Sequence, residues 1–77
     1  MWEIKIRREA NGYIVSYPSE NDENLMITEV YQDYNKEAGQ LYSLRDVLNN
    51  VMMYFGESYS KHNKKNIVVK IIKNKDL

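Results

Sequence analysis

Two short runs of alternating residues meet at Asn11-Gly12. Trp2, Ile4 and Ile6 alternate with Glu3, Lys5 and Arg7 before the dipeptide, and Tyr13, Val15 and Tyr17 alternate with Ile14 and Ser16 after it. Successive side chains of a strand point to opposite faces. Asn-Gly is the preferred two-residue hairpin loop, because both positions take positive φ. The spacing predicts an antiparallel hairpin pairing Ala10 with Tyr13, Arg8 with Val15 and Ile6 with Tyr17. One face then carries Trp2, Ile4, Ile6, Tyr13, Val15 and Tyr17, and needs a cover. The other carries Glu3, Lys5, Arg7, Glu9, Ile14 and Ser16, and faces water.

Pro18 ends the second strand, and the polar stretch up to Asn24 is a turn. Residues 25–34 read as a third strand, with Met26, Thr28 and Val30 on one side and Leu25, Ile27 and Tyr31 on the other. Residues 35–40 form a second loop. A helix follows over 41–55, where Leu44, Val47, Leu48, Val51, Met52, Tyr54 and Phe55 fall in one broad stripe at 100° per residue. Ser43 with Asp46 has the spacing of a capping box, Tyr42 with Val47 that of a hydrophobic staple, and a start one turn earlier also fits. Gly56 suits the C′ position. Residues 58–66 are a polar, basic loop, residues 67–72 an apolar strand, and 73–77 a tail. The expected fold class is α+β: an antiparallel three-stranded meander, one amphipathic helix packed on one sheet face, and a final strand joining the sheet (β-β-β-α-β). The whole chain, 1–77, reads as one domain.

At 77 residues with no Cys and a single His, the chain has a thin core and neither disulfides nor a zinc site to support it. Homodimerisation is the remaining route to stability. The early charge alternation is not that of a signal peptide, no apolar run approaches the ~20 residues of a membrane span, and the expected location is cytoplasmic. Net charge is zero, which disfavours non-specific nucleic-acid binding. The charges are unevenly placed all the same. Residues 20–37 hold Glu20, Asp22, Glu23, Glu29, Asp33 and Glu37 against Lys36, whereas 61–75 hold six lysines and no acid.

Three surfaces are candidates for function. On the helix, Tyr42, Asn49 and Met53 form a stripe opposite the core face, and Tyr and Met are enriched where proteins meet. The acids Glu20, Asp22 and Glu23 could contact a partner or mimic nucleic acid. The loop residues Ser58, Tyr59, Ser60, Lys61, His62, Lys64 and Lys65 combine hydroxyls, an aromatic ring and ammonium groups, which suits a phosphate or a base. That loop follows a helix C-terminus, where the dipole disfavours anions and favours cations as caps. The bland reading of each surface is a solvated face.

Catalysis has little to build on. A Cys nucleophile is excluded, Ser58 or Ser60 near His62 has no orienting acid at fixed spacing, and Glu20, Asp22 and Glu23 lack a calcium-loop pattern. The three glycines are isolated turn residues rather than a phosphate loop. No cofactor or metal is expected.

Asn11-Gly12-Tyr13-Ile14-Val15 in an N-terminal hairpin, the acidic middle, Tyr54-Phe55-Gly56 at the helix end and the run from Ser60 to Ile67 together resemble small proteins of bacteriophages and prophages. The resemblance implies an accessory protein of a mobile element and transfers no catalytic residue. Proteins of that kind and size often act stoichiometrically on a host defence factor. The expected function is therefore a non-enzymatic binding protein, such as an anti-CRISPR or other anti-defence inhibitor, that occupies a host protein surface. The alternative is a nucleotide- or nucleic-acid-sequestering module built on the basic loop.

Overall fold

The computed structural model describes residues 2–74. Its elements are β1 (Lys5–Glu9), β2 (Gly12–Pro18), β3 (Met26–Gln32) and α1 (Gly39–Tyr54). The strands form one antiparallel sheet in the order β1-β2-β3, and α1 lies against β2 and β3.

The hairpin keeps the expected faces but not the expected register. Ile6 pairs with Val15, Arg8 with Tyr13 and Glu9 with Gly12. The connection is thus Ala10-Asn11, one residue earlier than the sequence suggested. Neither Asn11 nor Gly12 has positive φ, so a type I′ turn does not form. Gly12 serves another purpose, since a Cβ there would collide with the Tyr31 carbonyl on β3. The register moves by two positions in total, which preserves strand parity and therefore every side chain's face.

The helix begins two residues before the expected start. Ala38 takes a left-handed conformation with φ 56°, and no side chain caps the first turn. The capping box at Ser43 and Asp46 does not form, nor is Tyr42 a staple residue before the helix, because both lie inside it. Ser43 is fully buried and donates to Asp33 Oδ1 at 2.6 Å and to the Gln40 carbonyl at 3.0 Å. A hydroxyl near an acid reads equally as a cap or as an interior donor, and tertiary contact with Asp33, just after β3, decides for the second. The C-terminus is as expected. Gly56 takes φ 77°, its N–H reaches the Met53 carbonyl at 3.0 Å, and the Glu57 N–H reaches the Met52 carbonyl at 2.8 Å. These two bonds form a Schellman motif.

Between helix and sheet the fully buried apolar side chains are Val15 and Val47. Around them the contact is polar. Glu29, on the helix side of β3, accepts from Tyr17, from Tyr31 at 2.7 Å and from Asn50 at 3.2 Å. Asp33 accepts from Ser43 and from both terminal nitrogens of Arg8, at 2.9 and 2.8 Å. Tyr54 packs on Tyr17 and Trp2, with ring centroids 5.0 and 5.8 Å apart.

Among the described residues the expected last strand does not join this sheet. Residues 67–74 have no regular secondary structure, and among the described residues no backbone–backbone hydrogen bond involves 64–74. Instead the segment runs beside α1. Val69, Lys70, Ile71 and Ile72 share a groove with Leu41, Leu44, Arg45 and Leu48. The broad apolar stripe of the helix is thus split, with Val47 turned to the sheet and Leu44, Leu48 and Met52 turned toward this arm. Of the tail, residues 75–77 lie outside the described residues.

Candidate protein-interaction surface

The outer side of α1 and the arm meet in a shallow groove of about 360 Å³. Asn49, Met52 and Met53 line it from the helix, Ser58 and Tyr59 from the loop, and Ile67, Val68 and Val69 from the arm. Four of these side chains are large, apolar or aromatic, and mostly open to solvent: Met53 is 65 % exposed, Tyr59 64 %, Ile67 65 % and Val68 60 %. Scattered exposed apolar residues are ordinary, whereas a contiguous group of this kind is a candidate binding surface. The Schellman turn sends the chain back along the helix, and so sets Tyr59 and the arm beside Met53.

Two of the three expected helix residues, Asn49 and Met53, belong to this surface. Tyr42 does not. It stacks on Tyr34 at 5.3 Å between centroids, with Lys36 Nζ 3.8 Å and Arg45 Cζ 5.1 Å from its ring. Asp46 ties this cluster together, accepting from Tyr34 at 2.7 Å and from Arg45 Nε at 3.1 Å. The Asp46 carboxylate, hydrogen-bonded to the Tyr34 hydroxyl, raises that phenol above its ordinary value.

The basic loop is a compact turn held by Asn66. Asn66 Oδ1 accepts from the Ser60 N–H at 3.2 Å and from Asn63 Nδ2 at 3.0 Å, while Asn66 Nδ2 donates to the Ser60 carbonyl at 3.0 Å. Ser60 Oγ accepts from the His62 N–H at 3.2 Å. The candidate anion ligands are spread across the loop. Ser58 and Tyr59 line the apolar groove, Lys65 lines a separate recess that includes the acid Glu57, and Lys61, His62 and Lys64 are exposed.

Glu20 and Glu23 line a recess of about 240 Å³ with Trp2, Pro18, Ser19 and Tyr54. Asp22 stabilises its own turn, with its carboxylate accepting from the Asn24 N–H at 2.9 Å. Glu29 and Asp33 are committed inward. Hydrogen bonds from Tyr17 and Tyr31 hold the Glu29 carboxylate below its ordinary value. Those from Arg8 and Ser43 do the same for Asp33. In return Glu29 pushes the Tyr17 phenol up to about 12. Burial, with the Glu29 hydrogen bond second, raises Tyr31 further. These paired groups hold the sheet to the helix.

Ile67 and Val68 are the surface residues that the sequence hid. A β-branched run with apolar residues on both faces reads as an interior strand, and nothing in its pattern says that the neighbouring strand is missing. Compared with protein-family models, with curated proteins and with solved structures, the chain has no significant match.

Proposed function

We propose that the chain is a non-catalytic protein-binding module that works by occupying a partner's surface with the groove formed by α1 and the arm. The observation that carries this reading is the contiguous exposed set of Met53, Tyr59, Ile67 and Val68 beside a stretch of backbone with no backbone–backbone hydrogen bond among the described residues. Apolar anchors supply affinity in such an interface, and an extended backbone supplies directional hydrogen bonds to a strand edge. In this reading the arm becomes the last strand of a β-β-β-α-β arrangement only when a partner offers that edge. The resemblance to phage accessory proteins supplies the setting, in which the partner is a host protein in the bacterial cytosol and the effect is inhibition.

The test is affinity capture of the full chain from host cytosol, comparing wild type with Met53→Glu and Ile67→Glu. A stoichiometric protein partner retained by wild type and lost from both variants is expected. Capture that ignores both substitutions overturns the reading. A co-purifying nucleotide that is lost with Lys64→Glu and Lys65→Glu replaces it with phosphate binding by the basic loop.

A further inference from the structure

The molecule is more open than a compact monomer of its size. Its accessible surface is 6685 Å², whereas a compact monomer of 9.2 kDa exposes roughly 4,900 Å². Its radius of gyration is 14.7 Å, against roughly 11.5 Å for a compact chain of this length. The excess area is roughly 1,800 Å², and each half of a standard dimer interface needs only about 800 Å². Both edges of the sheet and the backbone of the arm are unpaired among the described residues.

We infer that the arm of one copy pairs as a strand with the free edge of β3 in a second copy, and that the exchange is reciprocal about a two-fold axis. This rests on the reading of the arm as an interaction element and names its first partner. Charge selects the edge. From 58 to 74 the arm and its loop carry Lys61, Lys64, Lys65, Lys70 and Lys73 and no acid. The edge strand β1 is cationic, with Lys5, Arg7 and Arg8 against Glu9, and repels it. The edge strand β3 holds only Glu29 as a charged residue, turned to the helix; the flank before it adds Glu20 and Asp22 with no base, whereas the flank after it sets Asp33 and Glu37 against Arg8 and Lys36. Lys64 and Lys65 precede the apolar stretch 67–72 and Lys73 follows it, so in either strand direction lysines meet the acidic flank at 20–22. Pairing of arm with arm brings two sets of lysines together instead. The lengths also agree, six residues in the arm and seven in β3. Val30 and Met26, exposed on the face of β3 away from the helix, gain neighbours when the sheet is extended.

Sedimentation equilibrium of the full chain at rising concentration, at ~0.05 M and ~0.5 M salt, tests this. A dimer is expected whose dissociation constant rises by about tenfold or more between the two salts. Val69→Pro, which removes a backbone donor, should give a monomer with an unchanged circular dichroism spectrum. Lys64→Glu with Lys65→Glu, on the exposed loop, should weaken the dimer, and adding Glu20→Lys with Asp22→Lys should restore it. A wild-type monomer at every concentration overturns the inference, as does a dimer indifferent to Val69→Pro. A dimer tightened by salt or by the lysine reversals overturns the choice of β3. Lys64→Glu with Lys65→Glu leaves Met53, Ile67 and the backbone of the arm untouched, so host-protein capture by that variant can succeed or fail independently of its effect on the dimer.

Discussion

Strand β2 and the arm are made of the same material and have opposite fates. β2, Gly-Tyr-Ile-Val-Ser-Tyr-Pro, has a neighbour on each side and places Val15 at zero exposure. The arm, Ile-Val-Val-Lys-Ile-Ile over 67–72, has the higher density of β-branched residues but no ladder partner among the described residues. β propensity describes how a side chain fits a pleated, half-buried surface, and that surface has to be supplied by other strands. β2 acquires it from the adjacent β1 and β3 through short turns. The arm is separated from β3 by the helix, and in one chain it meets the helix flank instead.

The sharpest way to break this contrast is to put the same charge in both segments. Val15→Asp buries a carboxylate with no partner at the centre of the helix–sheet contact, and should cost about 3–5 kcal/mol. A domain with so thin a core should then be largely unfolded at 25 °C, as read from circular dichroism and urea titration. A cooperative, wild-type-like unfolding curve would show that Val15 is not the centre of the core.

Gly12→Ala comes next. The β2 backbone crosses so close to the Tyr31 carbonyl that a Cβ has no space, and the strands must separate or slip. The expected loss is about 2 kcal/mol, measured by urea denaturation. If the turn had the positive φ that Asn-Gly suggested, the penalty would arise from backbone strain. With negative φ, Gly12→Ala and Gly12→Ser should cost alike, and Gly12→Asn should give no relief.

That turn shows which parts of the fold were legible. Alternation fixed the faces of β1 and β2, because face depends only on parity. It did not fix the register, because Asn11-Gly12 was assigned to turn geometry when its glycine was needed for close packing on β3. The helical period places α1 and its Schellman end, yet Ser43 has the spacing of a cap, because its partner Asp33 lies just beyond β3, outside the local sequence pattern. Asn49 and Met53 were legible as an outer stripe from helical geometry alone. Tyr42 left that stripe because Tyr34, on the preceding loop, offered a ring to stack on. Ile67 and Val68 were hidden because local pattern does not report whether a neighbouring strand exists.

The polar contact between β3 and α1 gives a pH signature that the arm lacks. Glu29→Gln keeps the shape but removes the charge that accepts from Tyr17, Tyr31 and Asn50, and should cost about 1.5 kcal/mol at neutral pH. The folded Glu29 is held below its ordinary 4.5. Its contribution is therefore full above that value and is lost as pH falls through the lower folded value. The difference between wild type and variant should shrink on acidification. Tyr17 acts at the other end. Its folded value is raised from 10.0 to about 12, so its contribution is complete below 10 and disappears as pH rises through about 12. Urea midpoints across pH, for wild type, Glu29→Gln and Tyr17→Phe, test both signs. A gap that widens in acid contradicts the assignment of Glu29.

The smallest expected effect on stability is the most informative about the arm. Val68 is 60 % exposed, and Val68→Asp should change the unfolding free energy by less than about 0.5 kcal/mol when measured in dilute solution, where copies are apart. At higher concentration the two chains should diverge. Wild type should gain thermal stability with concentration, because association stabilises the folded state by mass action. Val68→Asp, with a carboxylate in the strand that pairs, should show a Tm independent of concentration. The same valine-to-aspartate change would then disrupt folding in β2 and only association in the arm. If Val68→Asp unfolds the dilute monomer instead, the arm belongs to the core of its own chain and its unpaired backbone is not an invitation to a second copy.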